Sequence, residues 1–170
     1  MFALSIALPP DIAYDQAFAG ALLPLEPVLA DLVRQGWIAV PYAMHRRDVA
    51  PTTDLVRRIG APKCDTPVIA TWTAFRQMIG GCVFSASVRL HGAVLACAAG
   101  VPPLMLGYRS KCADFMMSMD LERWHVDLAN PACSGARGKL ERLIGEAPGM
   151  REEVLDRARG WRCRQIDFLR

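Results

Sequence analysis

Arg89, His91 and Lys111 are the residues here whose types and spacing suggest chemistry. An arginine can grip an oxyanion with two parallel hydrogen bonds. A histidine two residues on exchanges protons near neutral pH. A lysine twenty residues later adds a second fixed charge. Together they suit an anionic small molecule, a phosphate or a carboxylate, whose reaction needs a proton moved. Ser85, Ser87, Tyr108 and Arg109 flank these three and can cap a helix or donate to the same anion. The opposing reading is structural: Arg89 in a buried salt bridge, His91 in a core hydrogen bond, and Arg109 and Lys111 simply solvated.

The surrounding elements decide which reading has a chance. Cys82 to Ser85 reads as a short buried strand and is followed by a polar turn. A helix of small residues begins near Leu90 and stops at Gly100-Val101-Pro102. Pro103 to Gly107 reads as a second buried strand, and Tyr108-Arg-Ser-Lys111 as a basic loop. The start of a helix that follows a strand leaves backbone N–H groups unpaired and facing the crevice where open α/β sheets hold ligands.

The rest of the chain repeats this alternation. Phe2 to Leu8 is an apolar run stopped by Pro9-Pro10, as expected of a buried strand. Apolar residues at helical spacing run from about Tyr14 to Gln35, with Pro24 and Pro27 expected to kink or divide the helix and Gly36 to end it. Trp37 to Met44 is expected as a strand. Thr52 or Thr53 is expected to cap a helix ending at Ile59. Val68 to Ala70 is either a brief strand or a lead-in to a helix over Thr71 to Gly80. A further short helix is expected over Ser110 to Met119, and a strand or loop over Trp124 to Leu128. Residues 135–170 supply two closing helices, Gly135 to Ile144 and Pro148 to Leu169. Alternating β and α elements predict one α/β domain over residues 1–170, a Rossmann-like parallel sheet with helices on both faces.

Composition narrows the functions. Residues of hydrophobic type make up 52% of the 170, enough for a proper core. The net charge of +3 comes from scattered arginines, which gives no argument for nucleic acid. Six cysteines without CxxC or Cys/His ligand spacing read as reduced thiols, and no metal is expected. The N-terminus lacks a basic n-region and the longest apolar tract is broken at Gly100-Val-Pro-Pro103, so neither a signal peptide nor a membrane span is expected and the location expected is cytoplasmic. His45 and His125 are expected in surface or packing roles. No P-loop, GxGxxG, HExxH or GxSxG occurs.

The run Val88-Arg-Leu-His-Gly-Ala-Val-Leu-Ala-Cys-Ala-Ala-Gly-Val-Pro102, with Leu104-Met-Leu-Gly-Tyr-Arg-Ser-Lys-Cys-Ala-Asp-Phe-Met116, resembles the C-terminal signature of the polysaccharide pyruvyl transferase family. In that family Arg-Leu-His opens a helix of small residues, Gly-Val-Pro ends it, and Tyr-x-x-Lys follows the next strand. The looser order of strand, long helix, strand and an Asp near position 54 is similar too. The resemblance implies one half of a glycosyltransferase-B-like (GT-B) enzyme, with the active site between two facing Rossmann-like domains. It implies transfer of a pyruvyl group from phosphoenolpyruvate to a sugar hydroxyl in cell-surface polysaccharide or its lipid-linked precursor, with peripheral contact with the membrane that holds such a precursor. It implies that Arg89 holds the donor's phosphate or carboxylate, that His91 is the acid/base or donor-orienting group, and that Lys111 is a further anion contact. Phosphoenolpyruvate enters as substrate, and no cofactor is implied.

Two departures stand out. The family often carries an arginine after the first strand of this half, where this chain has Ile6-Ala-Leu-Pro-Pro10. The other half of the cleft also has no room in 170 residues, so the chain is expected to be a fragment, a subunit that needs a partner, or a relic without activity. The competing readings are a GT-B-like domain that uses a nucleotide sugar and a non-catalytic ligand-binding or scaffolding domain.

Overall fold

The computed structural model describes residues 1–5, 22–128 and 135–168, with side chains through 164. Five parallel strands form one sheet in the order β2-β1-β3-β4-β5: β1 Phe2–Ser5, β2 Ala39–Pro41, β3 Phe84–Ser87, β4 Pro103–Gly107 and β5 His125–Asp127. The described residues add seven helices: α1 Glu26–Arg34, α2 Val49–Arg58, α3 Trp72–Ile79, α4 Leu90–Ala98, α5 Ser110–Ser118, α6 Ala136–Glu146 and α7 Arg151–Phe168. The expected Rossmann-like α/β class is the one observed. The order reverses between β1 and β3, and such a switch point is where open α/β sheets place their ligands.

A parallel strand has both faces covered, so side chains of both parities are buried. Phe2, Leu4, Phe84, Ala86, Leu104 and Leu106 enter one core with Leu29 of α1, Leu55 of α2 and Leu140 of α6. The rings of Phe2 and Phe84, paired across neighbouring strands, stack at 5.4 Å and 4°. Ala3 faces the other way and joins Tyr42, Phe75 and Ile79 of α3, and Ala96 of α4. By the same alternation Ser5, Ser85 and Ser87 share that second face. All three are completely buried.

Local chemistry sets the boundaries. Pro27 sits in the first turn of α1, where its missing N–H costs nothing, so the proline opens the helix. Gly36 closes it with φ +86°, a left-handed backbone that glycine adopts without strain. The part of the expected helix before residue 22, and residues 6–8 of the expected first strand, lie outside the described residues. The second strand is shorter than expected, three residues ending at Pro41 on a sheet edge, where no partner needs that nitrogen.

Three expectations are corrected. α2 starts at Val49, so Thr52 and Thr53 are inside the helix and not its cap. The entry is a 3-10 turn over Arg46–Asp48, where His45 Nδ1 accepts the Arg47 N–H at 3.2 Å. β3 runs from Phe84 to Ser87, two residues later than expected at both ends: Ser85 is in the strand as expected, and Ser87 belongs to it and not to a turn. Residues 68–70 are reduced to a single bridge, Ala43 to Val68. β4 spans the residues expected, and Thr71 caps α3 through its Oγ.

Candidate functional site

β3 and β4 are hydrogen-bonded neighbours running the same way, with Ser87 opposite Met105. The loops that leave them, 88–91 and 108–111, therefore reach the same edge of the sheet. Each loop builds the same local device. Arg89 occupies the cap position of α4 in an extended conformation, and Arg109 does so for α5. Neither cap residue's side chain bonds its helix; the Gly92 and Cys112 N–H groups close onto the Arg89 and Arg109 carbonyls, and the first two N–H groups of each helix have no such bond among the described residues. His91 and Lys111 each fall two positions into their helix, and both are exposed. The positive end of a helix dipole disfavours cations by roughly 0.3–1 kcal/mol each. Two neighbouring starts thus concentrate positive potential at one edge, against the preference of the helices themselves.

Arg89 is anchored from both sides. Its Nε and Nη2 donate to the two carboxylate oxygens of Asp48 at 3.1 and 2.7 Å. Asp48 is completely buried, and the Arg89 side chain keeps 22% exposure. The bond to Asp48, with a smaller share from Tyr108, raises the Arg89 pKa above its already high value and fixes the positive charge. Asp48 follows β2, Arg89 follows β3 and Tyr108 follows β4. The guanidinium therefore spans the carboxyl end of β1, which lies between β2 and β3.

Beneath that span the buried hydroxyls form a layer. Tyr42 Oη lies 3.2 Å from Ser85 Oγ, and burial raises the Tyr42 pKa against the opposing hydrogen bonds of Ser85 and Ser87. Ser87 Oγ donates to the Arg89 carbonyl at 3.0 Å, which ties strand end to helix cap. Ser5 Oγ, at the end of β1, is buried and has no partner among the described residues. Gly92 lets α4 approach this layer: a Cβ there would collide with Ser87 Oγ and lie 2.8 Å from Tyr42 Oη.

The structure therefore brings Arg89, Ser87 and Tyr108 together and leaves His91, Arg109 and Lys111 on the surface of the same edge. The expected cap or donor role of Ser85 and Ser87 is corrected, since both are spent on internal bonds and the cap position belongs to Arg89. Arg109 also lies over the Tyr108 ring, 5.4 Å from its centre. The structural alternative holds in part for Arg89, which does make a salt bridge, and fails for His91, which is not in the core. Sequence reasoning missed Asp48, Tyr42 and Gly92. An acid just past a βα turn and beside two arginines was the one available signal for Asp48. Asp54, the acid singled out instead, is spent on surface bridges to Arg57 and Arg58.

Among the described residues no three His, Cys, Asp or Glu gather as a metal site, and no helix is long and apolar enough to cross a membrane. Cys82, Cys97 and Cys112 are buried, and burial pushes the Cys97 thiol up to about 12.

No curated protein and no solved structure matches the chain. The family model described as polysaccharide pyruvyl transferase matches residues 24–110, just over half of the chain. That span holds Asp48, Arg89, His91, Tyr108 and Arg109, and it stops one residue short of Lys111. A match of that extent, which includes both helix starts, identifies the chain as a member of the polysaccharide pyruvyl transferase family.

Proposed function

We propose that this chain forms the donor-binding wall of an enzyme that transfers a pyruvyl group from phosphoenolpyruvate to a sugar of a cell-surface polysaccharide. The observation that supports it is the pair of uncapped helix starts on β3 and β4, each with an arginine at the cap and a cationic or titratable side chain two residues further on. Phosphoenolpyruvate carries a phosphate and a carboxylate on one carbon, and two adjacent cationic stations suit two adjacent anionic groups.

In the reaction, a proton adds to the methylene carbon of the donor, which becomes a methyl group and leaves C2 oxocarbenium-like. A sugar hydroxyl attacks C2 and loses its proton. The C–O bond to phosphate then breaks, phosphate departs, and a second hydroxyl closes the ketal and loses its own proton. His91 is the exposed titratable group placed to deliver or collect a proton. Arg89, fixed by Asp48, and Arg109 and Lys111 offset charge on carboxylate and departing phosphate. Ser85 and Ser87 act from below by holding the strand end that presents Arg89. The acceptor and the opposite wall come from a second Rossmann-like domain or a partner subunit, as in a GT-B arrangement, and the work is done in the cytoplasm.

Calorimetric titration of phosphoenolpyruvate against the wild-type chain and Lys111→Ala tests this reading. One charge-assisted hydrogen bond contributes about 1.5–3 kcal/mol, so the variant should bind at least about tenfold more weakly. His91→Ala should leave binding within a few-fold and abolish turnover once the opposite wall and acceptor are supplied. Equal binding by wild type and Lys111→Ala, or a nucleotide sugar that displaces phosphoenolpyruvate and is itself weakened by Lys111→Ala, would refute it.

A further inference from the structure

The far end of α4 borders a second feature that the transferase chemistry does not use. A cleft of about 380 Å³ lies between α3, the end of α4 at Ala98 and Ala99, and one face of α7. That volume falls within the roughly 300–1,000 Å³ of small-molecule sites. Nine helical residues at 1.5 Å each put it about 13 Å along α4 from Arg89 and His91.

Four arginines line the cleft, Arg76, Arg151, Arg159 and Arg162, and no acid does. Arg151 is occupied: it donates to the Gly80 carbonyl at 3.0 Å and the Ala99 carbonyl at 3.3 Å, at the carboxyl ends of α3 and α4. It thereby neutralises the two negative helix ends that would otherwise repel an anion here. Arg159 pairs with Asp156 at 2.9 Å, but both are about three-quarters exposed, at 74% and 73%, and such a pair contributes little. Arg76 and Arg162 have no ion-pair partner among the described residues.

The floor is apolar, with Ala98, Leu155 and Ala158, and Trp72 forms a wall. Its indole is 41% exposed and stacks on the buried Phe75 ring at 6.4 Å and 27°, so the packing that holds one side leaves the other to the cleft. A fixed aromatic face beside unpaired guanidinium groups matches a ligand with a flat ring at one end and phosphates at the other.

We propose that this cleft binds a nucleotide carrying two or more phosphates, with the base against Trp72 and the phosphates on Arg76, Arg159 and Arg162. Calorimetry on the full chain tests it with ADP, UDP, adenosine and inorganic pyrophosphate as probes. Wild type should bind at least one of the two nucleotides at least tenfold more tightly than adenosine. Arg76→Gln with Arg162→Gln should weaken that nucleotide and pyrophosphate at least tenfold. Trp72→Ala should weaken the nucleotide about tenfold and leave pyrophosphate unchanged. Lys111→Ala, in the first turn of α5, should leave nucleotide binding unaltered. Neither nucleotide exceeding adenosine, wild-type affinity in the double arginine variant, loss of the nucleotide on Lys111→Ala, or binding to phosphatidylglycerol vesicles with no nucleotide bound would overturn the assignment.

Discussion

Removing either partner of the Arg89–Asp48 pair should be unequal in cost, and the inequality can be worked from exposure. Asp48 is completely buried, whereas Arg89 keeps 22% of its side chain in solvent. Arg89→Met retains the stem and removes every donor, which strands a carboxylate with no cation and no water. Breaking a buried pair in this way costs about 3–5 kcal/mol. Asp48→Asn keeps an acceptor and leaves a guanidinium that can turn partly outward, so its cost should be about 1–3 kcal/mol. The double variant removes both charges and should be less damaged than Arg89→Met alone, a coupling of roughly 1–3 kcal/mol. Urea unfolding followed by far-UV circular dichroism reads these differences. With a slope near 2 kcal/mol/M, Arg89→Met should move the midpoint down by about 1.5–2.5 M, Asp48→Asn by about 0.5–1.5 M, and the double variant by less than the first. Asp48→Asn more costly than Arg89→Met, or additive single effects, would refute the claim that Asp48 is the more deeply committed partner.

Two further outcomes follow from the same region and from β5. Gly92→Ala drives a methyl into the Ser87 and Tyr42 hydroxyls, and overpacking of this kind costs about 1–3 kcal/mol; a thermal melt should show Tm lower by roughly 2–10 °C, and an unchanged Tm would show that α4 does not need this approach. His125 is held below its ordinary value of 6.5 chiefly by burial, with Asp127 opposing and Lys139 reinforcing the drop. The folded state therefore resists the proton that the unfolded chain accepts, so stability is full above pH 6.5 and declines as the pH falls from 6.5 towards the lower folded pKa. Urea midpoints at pH 7.5 and 5.5 should show that decline in wild type and a smaller one in His125→Gln.

What the sequence could and could not convey divides along lines of distance. The strand Pro103–Gly107, the helix start near Leu90 and the short helix before Gly80 are local signals: an apolar run between breakers, a strand-to-helix junction, a periodic segment that ends at a glycine. Those were legible. Ser87 was placed in the turn because a polar residue after a short apolar run reads as the strand's end; its burial and its bond to the Arg89 carbonyl show only in the folded chain. Asp48 and Arg89 lie 41 residues apart, and no periodicity links them. The nearness of the loop that leaves β4 to the loop that leaves β3, by contrast, needed only the rule that parallel neighbours deliver their loops to one edge.

The position of β1 has a consequence for synthesis. It pairs with β2 on one side and with β3 on the other, and Phe84 enters the ribosomal tunnel about 80 residues after Phe2. At roughly 5–20 residues per second the nascent chain carries this segment for about 4–16 s before its second flank exists. Until then one apolar border of the future sheet's axis is open to any extended peptide nearby. Slow translation between residues 42 and 84 should raise the demand for chaperones during production, while slowing after residue 128, when all five strands have been made, should not.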